Sequence, residues 1–159
     1  MGARGFTLIE LMMVVVVVGI VLTAGMPAFS KFRDDLMIVQ ARTQVQQDLR
    51  MARQVAVTRH CAVIVTFGDG SATTDIVNYS VLYDANGDGS VSSGERYFNR
   101  RMPNRTRLSS VTLSPTDKLS FDMSGVLLAG TSGGQLVLAT SRGRVDTVLV
   151  SATGVVYRP

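Results

Sequence analysis

The sequence predicts an α+β protein: a long N-terminal helix, membrane-spanning in its first half and amphipathic in its second, packed on a compact antiparallel β head. Three observations predict it. From Leu11 to Met26 the sixteen residues are all apolar or small, Thr23 being the most polar. With Phe6–Ile9 the stretch reaches about twenty residues, the length at which a rise of ~1.5 Å per residue crosses hydrocarbon. From Ser30 to about Arg59 the apolar residues recur at helical spacing, with Val45, Leu49, Ala52 and Ala56 on one face and Arg42, Gln46, Arg50 and Arg53 elsewhere. Beyond His60 the period falls to two and glycine-rich turns begin. The expected organisation is a leader at 1–5, a spanning helix at 6–29, a helical stem at 30–59 and a β-rich head at 60–159.

Composition narrows the function. The 159 residues suffice for one domain and an anchor. The formal charge of +4 rests on 14 Arg and 2 Lys against 12 acids, and Arg favours fixed planar contacts to carboxylate or phosphate. A single cysteine, Cys61, excludes an intrachain disulfide and a cysteine-based zinc site, and the lone His60 excludes a histidine cluster. A hydrolase would rest on His60 alone, without nucleophile-elbow glycines; His60 reads as the cap that ends the stem. Charge is segregated: five acids and no bases from His60 to Glu95, then nine bases and three acids from Arg96 to Pro159. That is either a polar surface that happens to segregate or a pair of complementary faces for subunits or other charged partners.

The leader MGARG carries Arg4, which keeps this end cytoplasmic under the positive-inside rule. Ala24-Gly25-Met26 is a weak match to a secretory cleavage site, yet the chain continues helix-compatible beyond it. The anomaly is Glu10, because a charge in a spanning helix costs roughly 2.5–3.5 kcal/mol even on the lenient insertion scale. GFTLIE (Gly5, Phe6, Thr7, Leu8, Ile9, Glu10), the apolar run and Pro27 within it resemble the N-terminal signature of type IV pilins and type II secretion pseudopilins. The resemblance implies that a prepilin peptidase cuts between Gly5 and Phe6 and that the new Phe6 amine is methylated. It implies that Glu10 neutralises that ammonium on a neighbouring subunit, a pair that fixes register more than it adds stability. The alternatives are that Glu10 snorkels to the headgroups or pairs with its own chain's amine. Pro27 would kink or melt the helix locally, and Gly19 and Gly25 would permit close helix packing. The implied partners are the peptidase, other pilin or pseudopilin subunits and an inner-membrane assembly platform.

In the head, strands are expected at Ala62–Phe67, Ile76–Tyr83, Arg96–Asn99, Thr106–Leu113, Lys118–Phe121, Gln135–Thr140, Thr147–Ser151 and Gly154–Arg158. The turn signals between them are GDGS, DANGDGS, SPTD, GTSGG, SRGR and SATG. Two packed sheets or one curled sheet would satisfy this pattern. RQVAVTRHCAVIVTF, the D-x-N-x-D-G loop, LSFDMSG and VLVSATGVVYR make the chain similar to the GspH/FimT branch of minor pilins and pseudopilins, whose members sit at or near the tip and prime assembly. Some pilus-associated members bind DNA through a C-terminal G-R-x-R. Here Gly154 is followed by Val155, Val156 and Tyr157, with Arg158 one place late. A phosphate-binding patch would then have to come from Arg142 and Arg144 of SRGR with Arg100, Arg101, Arg105 and Arg107.

DANGDGSVSSGE, residues 84–95, fits the twelve-residue calcium pattern. Asp84, Asn86 and Asp88 stand at positions 1, 3 and 5, Gly89 at 6, and Glu95 at 12. Ser90 would offer its carbonyl and Ser92 a hydroxyl or a water. The flanking segments read as strands and not as helices, so a hydrophilic hairpin tip built on Asn-Gly and Asp-Gly is the competing account. If calcium binds, it orders a loop at the millimolar concentrations outside a cytoplasm. The whole sequence thus reads as a non-enzymatic assembly subunit that needs no cofactor. The alternatives are a DNA-binding pilin of an uptake machine, or a signal-anchored calcium-binding periplasmic domain that joins no filament.

Overall fold

Thr7 starts one unbroken helix, α1 (Leu8–Arg59), 52 residues long; the computed structural model describes residues 5–68, 74–114, 117–129 and 131–157. The Thr7 hydroxyl accepts from the Glu10 N–H while the Glu10 carboxylate reaches back to the Thr7 N–H, a capping box that satisfies donors at the helix start. At the other end His60 takes the left-handed conformation (φ 50°, ψ 43°) and stops the helix, as its position led one to expect. The helix is continuous through position 27, so of the kink or melting expected at Pro27 the melting does not occur. Proline removes one i→i−4 hydrogen bond, and the ladder is intact on both sides. The Pro27 side chain itself lies outside the described residues. Among the described residues no helical stretch is long and apolar enough to cross a membrane.

The second half of α1 shows its stripe. Ala41, Val45, Leu49, Ala52 and Ala56 are all at most 1% exposed, and Ile38 continues the row toward the N-terminus. Small alanines alternating with Val and Leu let the helix lie close to strands, and the stripe packs on both sheets of the head.

Those sheets are two, each four-stranded and antiparallel. The first has the order β3 (Arg96–Arg101), β2 (Asn78–Asp84), β1 (Ala62–Phe67), β5 (Lys118–Phe121). The second has the order β4 (Thr106–Ser114), β6 (Ser132–Thr140), β7 (Val145–Val150), β8 (Val156–Tyr157). Val63, Val65 and Phe67 of β1 face Leu108, Leu136, Leu138 and Val148 of the second sheet's inner side within one core that α1 closes. An isolated bridge, Ile76 to Leu108, ties the segment before β2 to β4. Ile76 therefore lies outside the strand expected to begin with it.

The largest departure in the strands is at GTSGG. It signals a turn, yet β6 begins at Ser132, so Gly133 and Gly134 are strand residues. A Cβ on Gly134 would sit 1.8 Å from the Thr112 carbonyl oxygen, and one on Gly133 2.1 Å from that of Val150. These glycines admit the backbones of β4 and β7 at close range, the other common reason for glycine in a strand. Elsewhere β3 runs two residues further than expected, to Arg101. Strand β7 starts at Val145 and stops at Val150. Only Val156–Tyr157 of the last segment is strand, because Gly154 (φ 75°) still belongs to the turn. Truncating the stripe tests its weight: Leu49→Ala should cost about 2–5 kcal/mol, read as a lower denaturant midpoint of the detergent-solubilised chain. Met51→Ala, half-exposed two residues on and about 200° around the helix, should cost far less.

Candidate functional site

Among the described residues, α1 is exposed from Leu8 to Phe29. Phe6 is 79% exposed, and every large apolar side chain from Leu8 to Leu22 is exposed. A Cβ at Gly19 or Gly25 would meet no atom within 4 Å in this chain. Glu10 sits at the start of this bare surface, its Oε2 3.5 Å from the Thr7 N and 3.4 Å from the Thr7 Oγ1. Gly5 and Phe6 lie ahead of the first helical turn and are exposed.

The loop between β2 and β3 brings the expected cation ligands together in part. Oxygens of Asp84, Asp88 and Glu95 lie within 4.8 Å of one another. Asp84 is buried at 4% exposure and accepts the N–H groups of Gly87 (2.7 Å) and Gly89 (2.9 Å) through its two oxygens. Glu95 folds back to accept from Ala85 (3.0 Å) and Ser92 (2.9 Å). Asp88 accepts from the Ser90 N–H (2.7 Å), the Ser92 hydroxyl (3.0 Å) and the Asn86 amide (2.9 Å). The Ser90 N–H, with the Ser92 hydroxyl second, holds the Asp88 carboxyl below its usual value despite full exposure. Asn86 presents its Oδ1 to the Asp88 N–H, so its oxygen faces the backbone. Each carboxylate therefore has donors already, and lone pairs left over for a hard cation.

The arginines expected to form a phosphate patch are mostly committed elsewhere. At the β6–β7 turn Arg142 lies 3.5 Å from Asp34, whose carboxylate is buried, and Arg144 grips Asp35. Arg42 of the stem reaches Asp146 of β7 at 3.0 Å. Arg100 stands 3.6 Å from Asp48, and Arg107 2.9 Å from Asp75. Among the described residues Arg101 and Arg105 make no ion pair, and Arg158 lies outside them. The SRGR cations thus clasp the helix to the head. Sequence reading missed Asp34 and Asp35 as their partners, and Asp146 as that of Arg42, since separations of 104–109 residues leave no local signal. Asp48 was missed too: it accepts from the buried Tyr79 hydroxyl, and burial first, then that bond, pushes the Tyr79 pKa far up.

A long helix bare over half its length, a two-sheet head on the other half and a carboxylate at the helix start define a class: subunits built to be assembled through their helices, and not enzymes. The family described as type II transport protein GspH matches residues 41–154, and the prokaryotic N-terminal methylation motif matches residues 1–26. The chain belongs to the GspH family, whose members are minor pilins and pseudopilins of type IV pili and type II secretion systems. Its fold is that of the type IV minor pilin FimU of Pseudomonas aeruginosa (TM-score 0.59, 14% identity, covering 80% of this chain and 92% of that one). The minor pseudopilin EpsH of the Vibrio cholerae type 2 secretion system is also similar (TM-score 0.56, 10% identity, covering 77% and 96%). No curated protein matches.

Proposed function

We propose that this chain is a minor pilin or pseudopilin that primes or caps a filament after its leader is removed. A prepilin peptidase hydrolyses the Gly5–Phe6 bond, the freed Phe6 amine is methylated, and residues 6–29 hold the subunit in the inner membrane with the head on the periplasmic side. An assembly platform then moves it from lipid into a bundle of like helices. The observation that carries this reading is the bare first half of α1 joined to the methylation motif. Fourteen large apolar side chains between Phe6 and Leu22 are exposed. Covering even half of each, at about 1.5–3 kcal/mol per fully buried side chain, supplies on the order of 10 kcal/mol.

Beside that magnitude Glu10 serves to fix axial register. Apolar burial drives association but is indifferent to axial sliding, whereas a charge pair is not. The Thr7 contacts at 3.4–3.5 Å are long and exposed, so a neighbour's ammonium displaces them at little cost. Glu10→Leu should leave membrane insertion and head stability unchanged and lower recovery in sheared filaments at least tenfold. Unchanged recovery would contradict the pairing.

A second proposal concerns calcium. The convergence of Asp84, Asp88 and Glu95 at the twelve-residue spacing supports a calcium site in the β2–β3 loop. At a free concentration ten times its dissociation constant the ion would add about 1.4 kcal/mol, raising the head's midpoint by roughly 6–11 °C. The rise should vanish in Glu95→Gln. An identical midpoint in millimolar calcium and in chelator would remove calcium from the account.

A further inference from the structure

Of the eight strands, β3 alone has every residue exposed. Its sequence is RYFNRR, and Tyr97 and Phe98 are 48% and 39% exposed, one on each face of the sheet. It is also an edge strand, paired with β2 alone. Met102 N–H donates to the Val77 carbonyl at 2.8 Å, which sets the phase of the ladder. By the alternation of an antiparallel pair, Arg96, Phe98 and Arg100 exchange hydrogen bonds with Tyr83, Val81 and Tyr79. The backbone groups of Tyr97, Asn99 and Arg101 therefore point away from the sheet. The outward Arg101 carbonyl is taken by the Gln44 amide of α1 at 3.0 Å. Those of Tyr97 and Asn99 have no partner among the described residues, a row of donors and acceptors ready for another strand.

The surroundings say what kind of strand. On the helix side of the edge a cavity of about 70 Å³ opens between Met51 and Ala52 of α1 and Phe98 and Arg100 of β3. Asp48, the partner of Arg100, and Tyr83 also line it, on the sheet face that carries Arg96 and Phe98. Arg96, Arg100 and Arg101 put three cations on six residues. Hydrogen bonding of β3 to its own copy needs outward residues opposite one another, and centring on Phe98 then sets Arg96 opposite Arg100 twice, with like charges in contact. An acidic strand meets no such clash, and carboxylates at alternate positions are what the edge attracts.

We propose that the free edge of β3 receives an extended acidic segment of a different subunit, which extends the sheet β3-β2-β1-β5 by one strand. For the identity of the donor this rests on the assembly reading above; the chemistry of the edge does not, and binding in isolation is measurable whether or not the chain enters a filament.

The test uses the full chain in detergent micelles and two fluorescent peptides, one alternating Glu with Val and the other alternating Lys with Val. Anisotropy at low salt should report binding of the acidic peptide and none of the basic one. Asn99→Pro removes an outward N–H and sets a ring in the path of the incoming strand. It spares the β2 ladder, so the unfolding midpoint should hold while affinity falls at least tenfold. Asn99→Thr, which keeps the N–H, should bind as wild type. Should the proline variant unfold, the double change Arg96→Glu, Arg101→Glu still decides, because it should reverse the preference toward the basic peptide. If neither peptide binds, if both bind alike, or if a folded Asn99→Pro binds undiminished, the arginines only guard an edge that takes no strand, and the proposal is overturned.

Discussion

Burial of Ala41, Val45, Leu49, Ala52 and Ala56 against both sheets fixes where the head grips α1, and so fixes what is left over. A helix of 52 residues is about 78 Å long at ~1.5 Å per residue, far more than a head of about one hundred residues can cover. The stripe begins at Ile38, so the helix before it makes few contacts within its own chain. The same hydrophobic effect that closes the head therefore leaves a second apolar surface that only lipid or other subunits can satisfy. Stability of the head and competence to assemble are thus separate properties of one helix.

Charge plays a smaller and more directional part. Arg142 with Asp34, Arg144 with Asp35 and Arg42 with Asp146 tie the last hairpin to the stem. Half-exposed pairs such as Arg144–Asp35 contribute about 0–1 kcal/mol each. Asp34 differs because its carboxylate is buried, so removing Arg142 would strand a charge. Together these pairs orient the head about the helix. That orientation decides which way the loop of residues 84–95 and the open edge of β3 face on an assembled subunit.

The stem stripe, the change of period at His60 and seven of the eight strands to within two residues at their starts were legible, because burial imposes 3.6- and 2-residue patterns on the chain itself. The exception is β6, which starts three residues before Gln135 because Gly133 and Gly134 were mistaken for a turn. Their role depends on how closely Thr112 and Val150 approach, and sequence carries no distance. The calcium-type spacing was legible for the same reason as the helix, since its ligands are local. Its three carboxylates, Asp84, Asp88 and Glu95, lie together. The partners of the arginines were not legible. Asp34 and Asp35 lie more than a hundred residues from the cations they hold, and composition alone could not show Arg142 and Arg144 already paired. Nor could RYFNRR reveal that neither face of β3 is covered.

The central claim is that the bare half of α1 is an assembly surface licensed by cleavage at Gly5. Its most direct measurement is the intact mass and N-terminal peptide of the membrane-extracted protein, from cells with and without their prepilin peptidase. A chain beginning at methylated Phe6, and only when the peptidase is present, is the predicted result. A chain that still begins at Met1, or one cut after the apolar run, would contradict it and leave Glu10 without the partner its position implies.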